Sequence, residues 1–417
     1  MKWQLLKRLK ETRVLENYSF MTSLTIFSTL IGLVIYPFVI RATGKEAYGT
    51  YVYAFTIASF FQVFLDYGFD SPCAKAIVQA RNDVKELSRI VSLALTLKGM
   101  ILIVSGVIFV LCLYWIPFMH NNRFISYITF IQIIATSFFP TWYFQGLKKM
   151  KFVTYINLGL RLCTLPIILW LIRSPQDIGL YALIIMISIL LGTIIAYLCL
   201  VADGIRLQRI GYSQIRLLLR DATPFFVTSL TGTLKSLSIK TIIKTFFGVG
   251  EVAVYDLAEK IVTIPRFFTQ NINSALFPEV VNNASPSRVR RILIYERIIG
   301  ACAALLVALL SYPAVWILGG EEMMGAVLIT ILLSSILYTW LVVGAYINFV
   351  FIPTNHYYAI TLNQVIALLS CLVFSLGGLY LWRDITMVAA GLMVSGFIEI
   401  LFCRYYASSC LHMRSGL

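Results

Sequence analysis

Predominantly apolar stretches of about twenty residues recur twelve times along this chain of 417 residues, at 18–40, 48–69, 90–116, 124–144, 153–172, 178–201, 222–246, 252–277, 292–318, 326–352, 357–381 and 385–402. At 1.5 Å per residue, each is long enough to cross a hydrocarbon core of about 30 Å. Backbone in hydrocarbon has no water to bond, which leaves bundled helices or a closed barrel. Barrel strands are about half this length and alternate in polarity, so the runs predict an all-α polytopic membrane protein with 12 transmembrane helices. Composition agrees, because only 13% of the residues are charged, about half the share found in soluble domains. Turn chemistry at Gly44, Pro175, Gly248, Gly319 and Gly320 separates the runs.

The formal net charge is +15, from 34 Lys and Arg against 19 Asp and Glu. In a soluble protein that excess points to nucleic acid; in a membrane protein it follows from retention of basic residues on the cytoplasmic side. With the N-terminus inside, twenty-two Lys and Arg fall in cytoplasmic segments and six in the opposite connections. Both termini are therefore expected in the cytoplasm, with no role for nucleic acid. The basic opening MKWQLLKRLKETRVLE has no short apolar core with a small-residue cleavage site, and it reads as a cytoplasmic lead-in.

Twelve runs suggest two sixfold halves. An offset of 204 residues sets Gly44 on Gly248 and Tyr51 on Tyr255, and it aligns the first two runs with the seventh and eighth. The expected organisation is a basic segment 1–17, an N-lobe 18–212, a C-lobe 213–410 and a cytoplasmic tail 411–417. Six spans per half give both halves the same orientation, with a cleft between them.

Ionisable side chains at mid-membrane are expensive and should face a wet cavity or a partner. The cations well inside runs are Lys98, Arg161, Lys235, Lys240, Lys260 and Arg266, and the acids well inside are Asp66, Asp256, Glu259 and Glu399. In the eighth run, Asp256, Glu259, Lys260, Thr263, Arg266 and Gln270 share one helical face. The seventh run carries two polar stripes, one through Thr228, Thr231, Lys235 and Ser238, the other through Ser229, Thr233, Ser236, Lys240 and Lys244. Lys98 lies close enough to a span end to snorkel to the interface, which competes with a cavity role. Asp256 and Lys260, four residues apart, form either a self-neutralising structural pair or part of a site. Arg161 and Lys235 are too deep to snorkel easily and lack an acid three or four residues away, which favours a cavity role. Six cations against four acids make such a cavity modestly attractive to anions.

Eight scattered cysteines without CxxC spacing read as small apolar fillers, and the three histidines sit far apart at span ends. Neither a phosphate-binding GxxxxGK[ST] loop nor HExxH or GxSxG occurs, so no cofactor, metal or catalytic residue is assigned. Outside loops of at most about a dozen residues leave little room for catalysis.

The stretch TGKEAYGTYVYAFTIASFFQVFLDYGFD, from Thr43, resembles the first hairpin of bacterial polysaccharide flippases, and GEVAVYDLAEKIVTIP looks like the matching hairpin of the second half. With its twelve runs and basic N-terminus, the whole chain is similar to O-antigen (Wzx-type) flippases of the multidrug/oligosaccharidyl-lipid/polysaccharide (MOP) exporter superfamily. That resemblance implies a MATE-like fold of two six-helix lobes in a V, alternating access, and a cationic cavity for a glycan on undecaprenyl pyrophosphate. It further implies a bacterial inner-membrane location, and an O-antigen polymerase and chain-length regulator as partners beside the lipid bilayer. Gly44, Tyr48, Gly49, Tyr51, Asp66 and Gly68 would then shape the turn and the cytoplasmic gate. Lys98, Arg161, Lys235, Lys240, Lys260 and Arg266 would bind the substrate, and Asp256 and Glu259 are candidates for ion coupling. The competing readings are a MATE-like small-molecule antiporter, for which an acid-dominated cavity is expected, a membrane enzyme acting on lipid-linked sugar, and a non-transporting membrane scaffold.

Overall fold

The computed structural model describes the backbone of residues 2–81, 83–282, 286–352, 354 and 356–414, and most side chains between 31 and 408 other than those of 267–290. Fourteen helices follow in order: α1 (Lys2–Asp66), α2 (Asp70–Gln79), α3 (Val84–Trp115), α4 (Pro117–Asn121), α5 (Arg123–Phe138), α6 (Thr141–Gly146), α7 (Met150–Leu171), α8 (Ile178–Ala202), α9 (Tyr212–Phe247), α10 (Val249–Asn282), α11 (Pro286–Gly319), α12 (Ala326–Tyr346), α13 (Tyr357–Leu381) and α14 (Thr386–Arg414). No strand occurs among the described residues.

Helix occupies all twelve expected runs. Nine helical stretches among the described residues are long and apolar enough to cross a membrane. The protein is thus an all-α, multi-pass membrane protein. Two further helices of similar length, α9 and α10, fall outside that set because they carry Lys235, Lys240 and Lys244, and Glu251, Asp256, Glu259, Lys260 and Arg266. Lipid explains the outward faces. On α3 and α11 the side chains of Ile103, Val104, Leu305 and Leu309 are all exposed, as apolar groups bordering hydrocarbon should be.

Local chemistry sets the helix ends. Asp83 accepts the backbone N–H of Lys85 at 2.9 Å and of Glu86 at 3.2 Å, satisfying two orphan donors of α3. Pro117 follows directly and opens α4, where a missing N–H does no harm. Among the described residues, the only break inside an expected run falls at Pro140, between α5 and α6, whereas Pro37, Pro166 and Pro313 remain within helices. Gly44 divides α1 at φ 76° and ψ 165°, and Gly248 separates α9 from α10 at φ 97°. The two turns that the 204-residue offset superimposes thus share a positive φ, which glycine adopts without steric penalty.

The chain forms two compact units. The first comprises Met1–Thr43 and Ile57–Phe226, the second Gly44–Thr56 and Val227–Leu417. The sequence reading divides the two lobes at 212/213; the structure places the boundary at 226/227 and hands 44–56 to the second unit. Close packing explains the transfer. Gly49 lies so near the backbone carbonyl of Val249 that a Cβ would collide with it. Lys45 pairs with Glu251 at 3.3 Å, and Tyr53 donates to the Thr241 hydroxyl at 3.3 Å.

A core of Phe69, Cys73, Ile77, Trp142, Tyr143 and Phe144 fills part of the first unit. In the second, Tyr346, Phe349, Phe351, Ala359 and Cys403 do the same. Cys73, Cys371 and Cys403 are buried and free, as expected of small apolar fillers, whereas Cys163 and Cys302 are exposed.

Candidate functional site

Asp66, Asp256, Glu259 and Glu399 are each held by an in-span cation. In the first unit the Lys98 ammonium pairs with Asp66 at 3.2 Å and donates to the backbone carbonyl of Ser137. Its side chain is only 3% exposed, so Lys98 stays inside rather than snorkelling. Burying a lysine amine requires a counter-charge, and Asp66, at the end of α1, supplies it. Arg161 lies on an exposed face of α7 in the same unit.

In the second unit, α9 and α10 carry a charged network. Asp256 receives Lys240 at 3.1 Å and Lys260 at 2.8 Å, and Lys240 also reaches Glu259 at 2.9 Å. The i, i+4 pair expected from the sequence is therefore present, widened by a lysine from the neighbouring helix. Lys260 further donates to the Tyr48 hydroxyl at 2.7 Å. Two positive charges converging on one buried carboxylate neutralise a group that hydrocarbon would otherwise not accept.

Beside this network, within the second unit, lies a cavity of about 350 Å3 walled by residues of α9, α10, α12, α13 and α14. Apolar side chains supply much of the wall. The polar ones include Lys235, Glu259, Arg266, Gln364 and Glu399. Lys235 has no acid three or four residues away on its own helix, but Glu399 of α14 meets it at 3.0 Å. The Arg266 guanidinium sits 4.4 Å from the ring centre of Trp340, a cation–π contact.

The structure thus brings Lys235, Glu259 and Arg266 to one cavity, places Lys240, Asp256 and Lys260 alongside it, and holds Lys98 and Arg161 in the other unit. The polar stripe expected on α10 divides: Glu259, Thr263 and Arg266 face the cavity, whereas Asp256 and Lys260 turn to Lys240 and Tyr48. The side chain of Gln270 lies outside the described residues.

The hairpin motif divides as well. Gly44, Tyr48, Gly49 and Tyr51 belong to the second unit and Asp66 and Gly68 to the first. Gly68 has φ 72°, and a Cβ there would meet Phe225 and Phe226. Tyr67 beside it stacks on Phe226 with ring centres 4.4 Å apart.

Sequence reasoning passed over Trp340 and Gln364. Tryptophan favours the membrane interface, so one at the centre of a run was itself a signal.

The fold is that of the MATE and MOP transporters. A multidrug resistance MATE family transporter of the MOP superfamily superimposes with a TM-score of 0.66 over 92% of this chain and 96% of that one, at 14% identity. The lipid II flippase MurJ superimposes with a TM-score of 0.67 over 93% and 87%, also at 14% identity. Likeness at this identity is one of fold.

Residues 14–284 match the polysaccharide biosynthesis protein family, and the chain belongs to that family. It is 23% identical over 315 residues, 74% of its own length and 76% of the relative's, to the "Putative O-antigen transporter" of Escherichia coli (strain K12). A protein of the same name from Shigella dysenteriae is 23% identical over 329 residues, 75% of this chain and 82% of that one.

Proposed function

We propose that this protein is a flippase. It carries an undecaprenyl-pyrophosphate-linked oligosaccharide, an O-antigen repeat unit, from the cytoplasmic to the periplasmic leaflet of a bacterial inner membrane. The observation that carries the reading is the cavity inside a helical unit of a membrane protein of the polysaccharide biosynthesis family, with the charged side chains Lys235 and Arg266 in its wall. A glycan head group needs such a path through hydrocarbon, and the prenyl tail needs none. The fold shared with MATE and MOP transporters supports alternating access. On this reading the substrate is moved rather than chemically altered.

Arg161 and Lys235 are the cations assigned to the head group, with Lys98, Lys240, Lys260 and Arg266 adding to the positive potential along the route. The double ion pair on Asp256 supports a structural part for that residue. Glu259, in the cavity wall, is the better candidate for ion coupling.

The test is translocation in proteoliposomes. Wild type should move lipid-linked glycan between leaflets, and the double variant Arg161→Ala, Lys235→Ala should not, at equal protein per vesicle. Arg161→Lys should be milder than Arg161→Ala if charge outweighs bidentate geometry. Undiminished transport by the double variant would overturn the assignment.

A further inference from the structure

The charges in the cavity wall cancel. By count, Lys235 and Arg266 in the wall are offset by Glu399 and Glu259; Lys235 is bound to Glu399 at 3.0 Å, and Glu259 is engaged by Lys240 at 2.9 Å. A pyrophosphate carries several negative charges and needs an excess of cations in contact with it. This wall holds as many acids as cations. It offers instead a mainly apolar lining, a guanidinium over an indole ring, Arg266 and Trp340, and planar polar side chains able to donate or accept in pairs, among them Arg266, Glu399 and Gln364. Such a mixture fits a ligand with an apolar face and a rim of hydroxyl groups. A pyranose ring has both: axial C–H groups that lie on an aromatic face and vicinal hydroxyls that span a carboxylate or a carboxamide. At about 350 Å3 the cavity is near the small end of small-molecule sites, so it suits one or two sugar rings and not a whole repeat unit.

We infer that this cavity is a saccharide subsite, seating one pyranose ring of the glycan against Trp340 while the pyrophosphate is held elsewhere. The inference deepens the transport reading and rests on it for the ligand being a glycan. The Lys235–Glu399 pair then acts as a hydroxyl clamp, both partners keeping their charge, and the Arg266–Trp340 stack forms the platform.

Gly232 supplies a direct test. It lines the cavity on α9, and a Cβ added there meets nothing within 4 Å. Gly232→Leu therefore adds bulk at the cavity wall from a Cβ position that is unobstructed, and leucine is the better helix former. Gly106→Leu, on α3 and equally unobstructed, is the control for added bulk.

The full chain in nanodiscs is titrated with D-glucose, N-acetyl-D-glucosamine, D-glucuronic acid and inorganic pyrophosphate, with tryptophan fluorescence as the readout. At least one sugar should bind to wild type and to Gly106→Leu. Its affinity should fall roughly tenfold or more in Gly232→Leu and Trp340→Ala, with Trp340→Phe retaining part of it, and pyrophosphate should not displace it. Binding of none of the sugars, equal binding by Gly232→Leu and Trp340→Ala, or displacement by pyrophosphate would each overturn the subsite.

A second arm follows movement of undecaprenyl pyrophosphate bearing N-acetylglucosamine in proteoliposomes. If Gly232→Leu and Trp340→Ala move it at the wild-type rate, the subsite falls and the transport reading stands. If wild type binds sugar but moves no lipid, the transport reading falls and the subsite stands.

Discussion

Lys260 donates a hydrogen bond to the hydroxyl of Tyr48, 2.7 Å away across a separation of 212 residues. The tyrosine is 1% exposed, and the lysine also holds Asp256, so the hairpin after Gly44 is tied to the charged core of the second unit. Tyr48→Phe keeps the ring and its cation–π contact with Lys260 and removes only the hydroxyl. The expected loss is about 0.5–1.5 kcal/mol, read as a fall of a few degrees in the unfolding midpoint of detergent-purified protein. An unchanged midpoint would mean that the bond contributes nothing.

Asp256 stands between Lys240 and Lys260, and its removal leaves a buried Lys240 facing only Glu259. Breaking a buried pair on one side costs about 3–5 kcal/mol, so Asp256→Asn should sharply lower the yield of folded protein. Adding Lys240→Met removes the stranded charge. The double variant should recover part of the lost stability, a non-additivity that a double-mutant cycle measures. Strictly additive losses would show that the two side chains are not energetically coupled.

Two glycines make opposite forecasts. Gly49→Ala places a methyl against the Val249 carbonyl, whereas Gly99→Ala meets nothing within 4 Å. Overpacking against backbone costs about 1–3 kcal/mol or more; alanine in an open helical site gains up to about 1 kcal/mol. Membrane-inserted yield and thermal midpoint should therefore fall for the first and hold or rise for the second.

Hydropathy alone made the helical runs legible, because a membrane leaves the backbone no other way to bond. The positive-φ turns at Gly44 and Gly248 were legible too, since glycine between apolar runs marks them. Helical phase did not reveal that Lys235 meets Glu399, 164 residues later. A periodic pattern says which residues share a face of one helix, not which helix that face will touch. The same limit hid the transfer of 44–56 to the second unit, the aromatic stack at Arg266, and the division of the α10 stripe between cavity and network. Counting six cations against four acids overstated how far the cavity favours anions, because charges paired across helices cancel locally.

Topology can be checked independently of transport. The basic asymmetry expects fusions after Lys149 and Arg216 to report cytoplasm and one near Glu321 to report periplasm. Trp115, Trp170, Trp316 and Trp382, in or just beyond the last turns of α3, α7, α11 and α13, are exposed, as residues of an interfacial aromatic belt are. On the expected alternation all four ends lie on the periplasmic side. Two opposite reporter readings would overturn the orientation.

Coupling separates the two acids of α10. Asp256 is 8% exposed and clamped by two lysines, whereas Glu259, one turn on, is 39% exposed in the cavity wall with one. A coupling carboxylate must exchange its proton or cation with water during each cycle, and only Glu259 has open space beside it. Its partner Lys240 is shared with Asp256, so loss of the Glu259 charge leaves that lysine still paired. Glu259→Gln is accordingly expected to fold normally and to remove the dependence of lipid-linked glycan movement on an imposed proton or sodium gradient, while passive exchange persists. Asp256→Asn should instead reduce folded protein and leave gradient dependence intact in the fraction that inserts. Gradient dependence surviving Glu259→Gln, or absent from wild type, would return Glu259 to the role of partner for Lys240.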